Sequence, residues 1–102
     1  GEHGAIVHYS ADEESNVELK PGKLFMTDTG GHYLQGSTDI TRTVAIGEAG
    51  QVEKEHFTLV VRAMLRLAST IFLHGCSGTN LDCIAREVFW KKGLNFNHGT
   101  GS

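Results

Sequence analysis

Two aspartates, Asp28 and Asp39, lie eleven residues apart in the stretch LFMTDTGGHYLQGSTDITRTVAI, residues 24–46. Each lies in a run bounded by apolar residues, where burying an unpaired carboxylate is costly. Two carboxylates on adjacent strands are hard oxygen ligands that suit Mn, Mg or Ca, and with an added histidine also Zn, Co or Fe. A two-metal site activates a water molecule and polarises a carbonyl group, which suits peptide hydrolysis. The pair therefore indicates a metal site that needs further ligands from elsewhere in the chain.

Other uses of these aspartates stay open at this point. The triplet Asp-Thr-Gly at residues 28–30 is also found in aspartic proteases, where one aspartate from each of two subunits shares a proton. A long helix predicted in the middle of the chain argues against this, because such a half-site domain should consist of short strands. Local roles are a third interpretation: an Asx-turn before Gly30 for Asp28, and bonds with the Ser37 or Thr41 hydroxyl for Asp39.

The elements that must position these residues begin with three predicted strands, over residues 4–9, 24–29 and 38–46. The second and third are joined by a Gly-rich loop and predict an antiparallel hairpin. Alternation along each strand then places Asp28 and Asp39 side by side on one face of that hairpin.

Two helices follow the hairpin. The first is predicted from about Val52 to Leu73, with a buried stripe at three-and-four spacing made of Phe57, Val60, Val61, Met64, Leu67, Ala68, Ile71 and Phe72. Thr79 with Asp82 predicts a capping box for the second helix, and Gly93 its C-cap. The apolar face of the second helix comprises Leu81, Ile84, Ala85, Val88 and Phe89. Strands before helices favour an α+β fold with two helices packed on one face of a mostly antiparallel sheet.

Composition limits the classes of function. With 102 residues and a net charge of -3, the chain is one small domain or a piece of a larger one, and it has no basic stripe for nucleic acid. No apolar run approaches the roughly 18 residues of a membrane span. Cys76 and Cys83 are predicted to be reduced thiols of a cytoplasmic protein. The start GEHG and the end HGTGS lead us to expect a fragment or an engineered piece.

Six histidines are present, and two are candidate functional residues. His8 and His98 each adjoin a strand or a Gly-rich loop, settings in which an imidazole ring can approach a substrate closely. His32 lies in the hairpin loop near the aspartates, and His56 and His74 are expected to contact solvent. His3 gives no signal.

Taken together, GAIVHY, TDTGGHY, GSTDITRT, GCSGTNLD and NHGTG resemble the catalytic domain of Xaa-Pro aminopeptidases (aminopeptidase P), in the group of pita-bread-fold metallopeptidases that includes prolidase and methionine aminopeptidase. The resemblance runs in order over essentially the whole chain. It implies a partial pita-bread (creatinase/aminopeptidase-like) fold, with residues 1–102 forming about the first half of a metallopeptidase catalytic domain.

The resemblance also implies a site with two divalent metal ions, commonly manganese with cobalt or zinc as alternatives, held by two aspartates, one histidine and two glutamates. Asp28 matches the first aspartate of that pattern, and Asp39 matches the second, which bridges both ions. His8 matches a histidine near the scissile bond. His98 matches the first histidine of a His-Gly-Thr-Gly-His run that lines the substrate pocket.

One position departs from the family pattern. Ser102 stands four residues after His98, where the family has its metal-binding histidine, and serine is not a firm transition-metal ligand. The two glutamates are expected beyond residue 102, so the isolated chain is expected to bind metal weakly and to hydrolyse little. A half-sheet also exposes an edge, which predicts pairing with a second copy in a homo-oligomer.

The function implied for the parent protein is that of a cytoplasmic metalloaminopeptidase acting on peptides with proline in the second position. The alternative is a non-catalytic binding module of the same fold that has lost metal ligands, and Ser102 is the feature that favours it. Nucleic acid and membranes are not expected partners.

Overall fold

The computed structural model describes residues 3, 4, 6 and 8–100. Within these residues, four strands precede two helices. The strands are β1 at Lys23–Thr29, β2 at His32–Tyr33, β3 at Gly36–Ser37 and β4 at Ile40–Ile46, and the helices are α1 at Gln51–Ala68 and α2 at Gly78–Trp90. The predicted α+β class is confirmed. The chain divides into two compact units, Gly1–Glu53 and Lys54–Ser102. Neither helix of the described part combines the length and apolar character needed to cross a bilayer.

The first unit contains the predicted hairpin. Strand β1 pairs antiparallel with β4, from Lys23 opposite Ile46 to Thr29 opposite Ile40, and β2 pairs with β3 in the same register. This register puts Asp28 opposite Thr41, and its continuation puts Asp39 opposite Gly30. The strand pairing predicted from alternation is therefore confirmed.

A close backbone approach interrupts the hairpin between its two ladders. The Thr38 N–H donates to the Gly31 carbonyl at 2.9 Å, and the Gly31 N–H donates to the Thr38 hydroxyl at 3.0 Å. A Cβ atom at Gly30 would lie 2.4 Å from the Thr38 carbonyl oxygen, well inside van der Waals contact. Only glycine at residue 30 lets the two backbone segments of the hairpin meet this closely next to the aspartates.

The second unit has a small apolar core formed by both helices. Leu59 and Ala63 of α1 and Ala85 and Val88 of α2 are buried, and the side chains packed against them are Leu67, Phe89, Leu94 and Phe96. The predicted apolar face of α2 is confirmed, since each of its members is buried or half-buried.

The predicted extent of α1 was wrong at its C-terminal end. The helix stops at Ala68 rather than Leu73, because the Ser69 and Thr70 hydroxyls donate to the Arg66 carbonyl at 3.2 and 2.7 Å and compete with the helical pattern. Ile71, predicted to be buried, is 98% exposed.

The predicted stripe of α1 was also partly wrong. Leu59 and Ala63 are buried, whereas Phe57, Val60 and Met64 are 43–56% exposed. Apolar residues cover a wide arc of α1, and spacing alone does not show which part of that arc meets α2.

The cap of α2 differs from the predicted Thr79 and Asp82 box. The helix begins two residues earlier with Ser77 as N-cap, and the Ser77 N–H and hydroxyl donate to Asn80 Oδ1 at 3.0 and 2.9 Å. The predicted C-cap Gly93 was wrong by two residues, because α2 ends at Trp90 and its C-cap is Lys91. Gly93 has φ 67°, and the Gly93 and Leu94 N–H groups close the last turn on the carbonyls of Trp90 and Phe89.

The strand predicted over residues 4–9 is not formed by the described residues of that range, and residues 5 and 7 lie outside them. Ile6 and Tyr9 close turns instead, through Ile6 N–H to His3 O at 2.9 Å and Tyr9 N–H to Ile6 O at 3.4 Å. The Tyr9 hydroxyl donates to the Ser15 carbonyl at 2.9 Å. A strand needs a neighbour for its backbone donors and acceptors, and in the described part β1 pairs with β4 alone.

Candidate metal centre

Asp28 is held within a regular ladder. It lies in β1 opposite Thr41, and the Thr41 hydroxyl donates to Asp28 Oδ1 at 2.9 Å. An Asx-turn is thereby excluded for Asp28, because its backbone is that of a paired strand. The exposed carboxylate is oriented by one hydroxyl and keeps further lone pairs for another ligand.

Asp39 immediately precedes β4 and is exposed. The two hydroxyls that could have satisfied it locally are used by other groups. The Thr41 hydroxyl donates to Asp28, and the Ser37 hydroxyl lies 2.9 Å from His32 Nδ1. The structure thus gives both hydroxyls neighbours other than Asp39. The register puts Asp39 diagonally across the hairpin from Asp28.

The donor set fits part of a divalent-cation site. Two exposed carboxylates flank the glycine-lined interruption of one hairpin, and carboxylate oxygens are hard ligands for such cations. Among residues 3, 4, 6 and 8–100, no group of three or more His, Cys, Asp or Glu side chains is arranged to hold a metal ion. Within this part of the chain, the aspartate pair offers two carboxylates and no third side chain of these types beside them.

The two candidate histidines lie in segments of the chain outside the hairpin that carries the aspartates. His8 is exposed in a turn with φ 59°, a left-handed conformation that is uncommon for a residue with a side chain. His98 belongs to the second unit, Lys54–Ser102. His56 and His74 are exposed, as predicted.

His98 is surrounded by contacts that its local sequence does not reveal. Its ring lies 4.7 Å from the Phe96 ring, centroid to centroid, and its Nδ1 lies 2.9 Å from the Gly99 carbonyl oxygen. The Arg86 guanidinium donates to the His98 carbonyl. Arg86 was not predicted as a functional residue. Its only sequence signal is the four-residue spacing from Asp82, which is typical of a helical ion pair.

Two carboxyl groups of α2 have lowered pKa values. The hydrogen bond from Arg86, followed by that from Thr100, lowers the pKa of the Asp82 carboxyl below its usual range. On the outer surface, a hydrogen bond from Lys91 and the charge of Arg66 lower the pKa of Glu87. The Arg86 and Asp82 side chains are 16% and 21% exposed, whereas those of Arg66 and Glu87 are 47% and 41% exposed.

The chain matches metallopeptidase family M24 over residues 1–102. It is 42% identical over 101 residues to a protein of Aspergillus clavatus named probable Xaa-Pro aminopeptidase P, and 44% identical over 101 residues to aminopeptidase P1 of Lotus japonicus. Each match covers 99% of this chain and 15% of the relative. The chain thus spans about one seventh of the length of these relatives.

Solved structures agree with the sequence relatives. Prolidase from Pyrococcus furiosus matches with a TM-score of 0.74 and 29% identity, and X-Pro aminopeptidase from Thermotoga maritima with a TM-score of 0.72 and 35% identity. The matches cover 87% of this chain and 25% and 24% of those chains. They confirm the predicted partial pita-bread α+β fold. On the match over its whole length, the chain belongs to metallopeptidase family M24.

Proposed function

We propose that residues 1–102 form the first part of the catalytic domain of a metal-dependent aminopeptidase that removes the N-terminal residue of peptides with proline in the second position. The names of the relatives support this substrate class. The share of their length that the chain spans supports its assignment as part of a larger domain, in which other segments supply the remaining metal ligands.

In this proposal Asp28 and Asp39 hold two divalent cations, of which manganese is our first choice and cobalt or zinc the alternatives. When bound, such cations polarise the scissile carbonyl and lower the pKa of water. Thr41 orients the Asp28 carboxylate through its hydroxyl. Gly30 allows the close chain approach beside which both carboxylates lie.

The histidines act on the peptide rather than on the cations. We assign the Nε2 atom of His98 to the substrate, because Nδ1 already lies 2.9 Å from the Gly99 carbonyl oxygen. From there it orients the peptide and stabilises charge that develops on it. His8 takes the position near the scissile bond. These roles are assigned from the resemblance of the two positions to the family pattern.

The observation that carries the proposal is the pairing of β1 with β4, whose register puts the exposed Asp28 and Asp39 residues diagonally across one hairpin. The test is Asp39→Asn in the full-length protein, with metal content measured by elemental analysis and activity on peptides with proline in second position. Both should be lost. Asp12→Asn is the matched control, because Asp12 is an exposed aspartate bonded to Ser15 in a surface loop. Survival of the activity in Asp39→Asn would rule the assignment out.

A non-catalytic binding module of the same fold is the second candidate. Ser102, which lies outside the described residues, favours it. Calorimetric titration of the 102-residue chain with Mn²⁺ tests whether the chain binds metal. Micromolar or tighter binding would show that the two aspartates acquire further ligands, for instance from a second copy, and would argue against the binding module. Full-length protein that binds a proline-containing peptide without cleaving it would establish the binding module.

Two findings argue against the aspartic-protease interpretation. Helix α1, with 18 residues, occupies the middle of the chain, and the family is one of metallopeptidases.

We extend the proposal to a cytoplasmic protein that forms homo-oligomers. The outer edges of the two-stranded sheet β1–β4, unpaired within the described part, support pairing with a second copy, which sedimentation analysis would test.

A further inference from the structure

Arg86 of α2 ties the helix to the segment 95–100. Its Nε and Nη2 donate to the Asp82 carboxylate one helical turn earlier. Its Nη1 donates to Asn95 Oδ1 at 3.0 Å and to the Phe96 carbonyl at 2.6 Å. Its Nη2 also donates to the His98 carbonyl. One guanidinium therefore holds the helix and three positions of the segment, a geometry that matches its planar set of donors.

Asp82 holds the segment on the far side of His98. Its Oδ1 accepts from the Thr100 N–H at 3.0 Å and from the Thr100 hydroxyl at 2.6 Å. With side chains only 16% and 21% exposed, Arg86 and Asp82 are partly shielded from water, where charge-assisted hydrogen bonds are strong. The backbone is thus fixed at His98 and two residues beyond it.

The imidazole ring of His98 is fixed as well. It packs on the Phe96 ring, which lies 4.1 Å from the Arg86 guanidinium carbon and 5.2 Å, edge to face, from the Phe89 ring. A carbonyl oxygen only accepts, so the 2.9 Å contact with Gly99 O places the proton of the neutral ring on Nδ1. Nε2 is then the proton acceptor of the ring.

We propose that Arg86 and Asp82 are positioning residues for His98: they hold the segment 95–100 so that the His98 ring keeps one orientation and one tautomer. The inference rests on the proposed function only for what His98 does to a substrate. The structural part, that the Arg86 and Asp82 pair orders this segment, stands on the contacts alone.

The ordering is tested by hydrogen exchange, followed by mass spectrometry, in the full-length protein carrying Arg86→Lys. Lysine keeps the charge but not the fork of donors, so amides of residues 95–100 should exchange about tenfold faster or more while residues 78–90 of α2 keep their protection. Arg66→Lys is the matched control, because Arg66 forms an exposed ion pair with Glu87; it should change neither region. Unchanged exchange in 95–100, or an equal rise in α2, would overturn the proposal.

Thr100→Val covers the case in which Arg86→Lys fails to fold. The substitution is close to isosteric and removes only the hydroxyl that donates to Asp82. It should raise exchange in the same segment by a smaller factor. No change in 95–100 in a folded Thr100→Val protein would count against a role for Asp82.

Kinetics test whether the effect passes through His98. Arg86→Lys should lower kcat by up to about 100-fold with little change in KM, because a misplaced group loses its action in the transition state. In a His98→Gln background the same substitution should have almost no further effect, since coupled residues are not additive. If the falls in kcat caused by Arg86→Lys and His98→Gln multiplied in the double variant, positioning through His98 would be ruled out. A wild-type protein without peptidase activity would refute the proposed function, and the exchange result would then decide the positioning proposal alone.

Discussion

The Thr41 hydroxyl donates to Asp28 Oδ1 at 2.9 Å across the antiparallel pair β1 and β4. Thirteen residues separate the two in sequence, and only the register of the hairpin brings them together. The bond leaves the Asp28 carboxylate oriented and still able to accept from or coordinate another group. In a metal site, such an outer partner fixes the ligand it touches.

We therefore expect Thr41→Val to weaken metal binding in the full-length protein by about 10–100-fold, the range typical of lost outer partners of metal ligands. Thr43→Val is the control, because Thr43 is the next residue on the same face of β4 and pairs with Met26. Titration with Mn²⁺ measures both. Equal affinities for the two variants would show that the Thr41 hydroxyl does not orient a ligand.

Gly30→Ala should separate the strands beside the aspartates. The added Cβ would lie 2.4 Å from the Thr38 carbonyl oxygen. One backbone segment of the hairpin therefore has to move, which should lower the free energy of unfolding by about 1–3 kcal/mol. Denaturant unfolding measures this cost, and metal titration measures the effect on the site. Gly99→Ala is the control for unfolding, because a Cβ there meets nothing within 4 Å. A Gly30→Ala protein as stable as the control would contradict the close approach.

Leu59→Ala tests which part of α1 faces the core. Leu59 is 8% exposed, and truncating a buried leucine costs about 2–5 kcal/mol. Leu73→Ala removes the same atoms from a side chain that is 83% exposed and should change the free energy of unfolding by less than about 0.5 kcal/mol. Similar losses in the two variants would mean that α1 packs through another part of its surface.

Acid should weaken the second unit through Asp82. Its pKa is lowered in the folded chain by Arg86 and Thr100, so its stabilising effect is present above the unfolded pKa of about 3.9 and is lost as pH falls through the lower folded value. Urea midpoints measured between about pH 6 and pH 2 should therefore fall less steeply in Asp82→Asn than in the wild type. Identical slopes would show that this carboxyl does not contribute.

Local patterns predicted much of the fold because their physical causes are local. Alternation and a Gly-rich turn were enough to predict the antiparallel hairpin, because both depend on neighbouring residues. The end of α1 was not predicted, because Ser69 and Thr70 bond to a carbonyl that the spacing of apolar residues does not register. The buried part of α1 depended on α2, which apolar spacing within α1 cannot locate.

The candidate site divides in the same way. The identities and spacing of Asp28 and Asp39 are written in the order of residues, and they suffice to suggest divalent cations, because ligand chemistry depends on residue type. The hydrogen-bond partners of the side chains in the candidate site cannot be read from the order of residues. Thr41 reaches Asp28 only through strand pairing, and Asp82, which its position in the chain suggested as a helix cap, instead holds Thr100 eighteen residues away. Contacts between distant residues depend on how the chain packs, so the roles of Thr41, Asp82 and Arg86 emerge only from the folded structure.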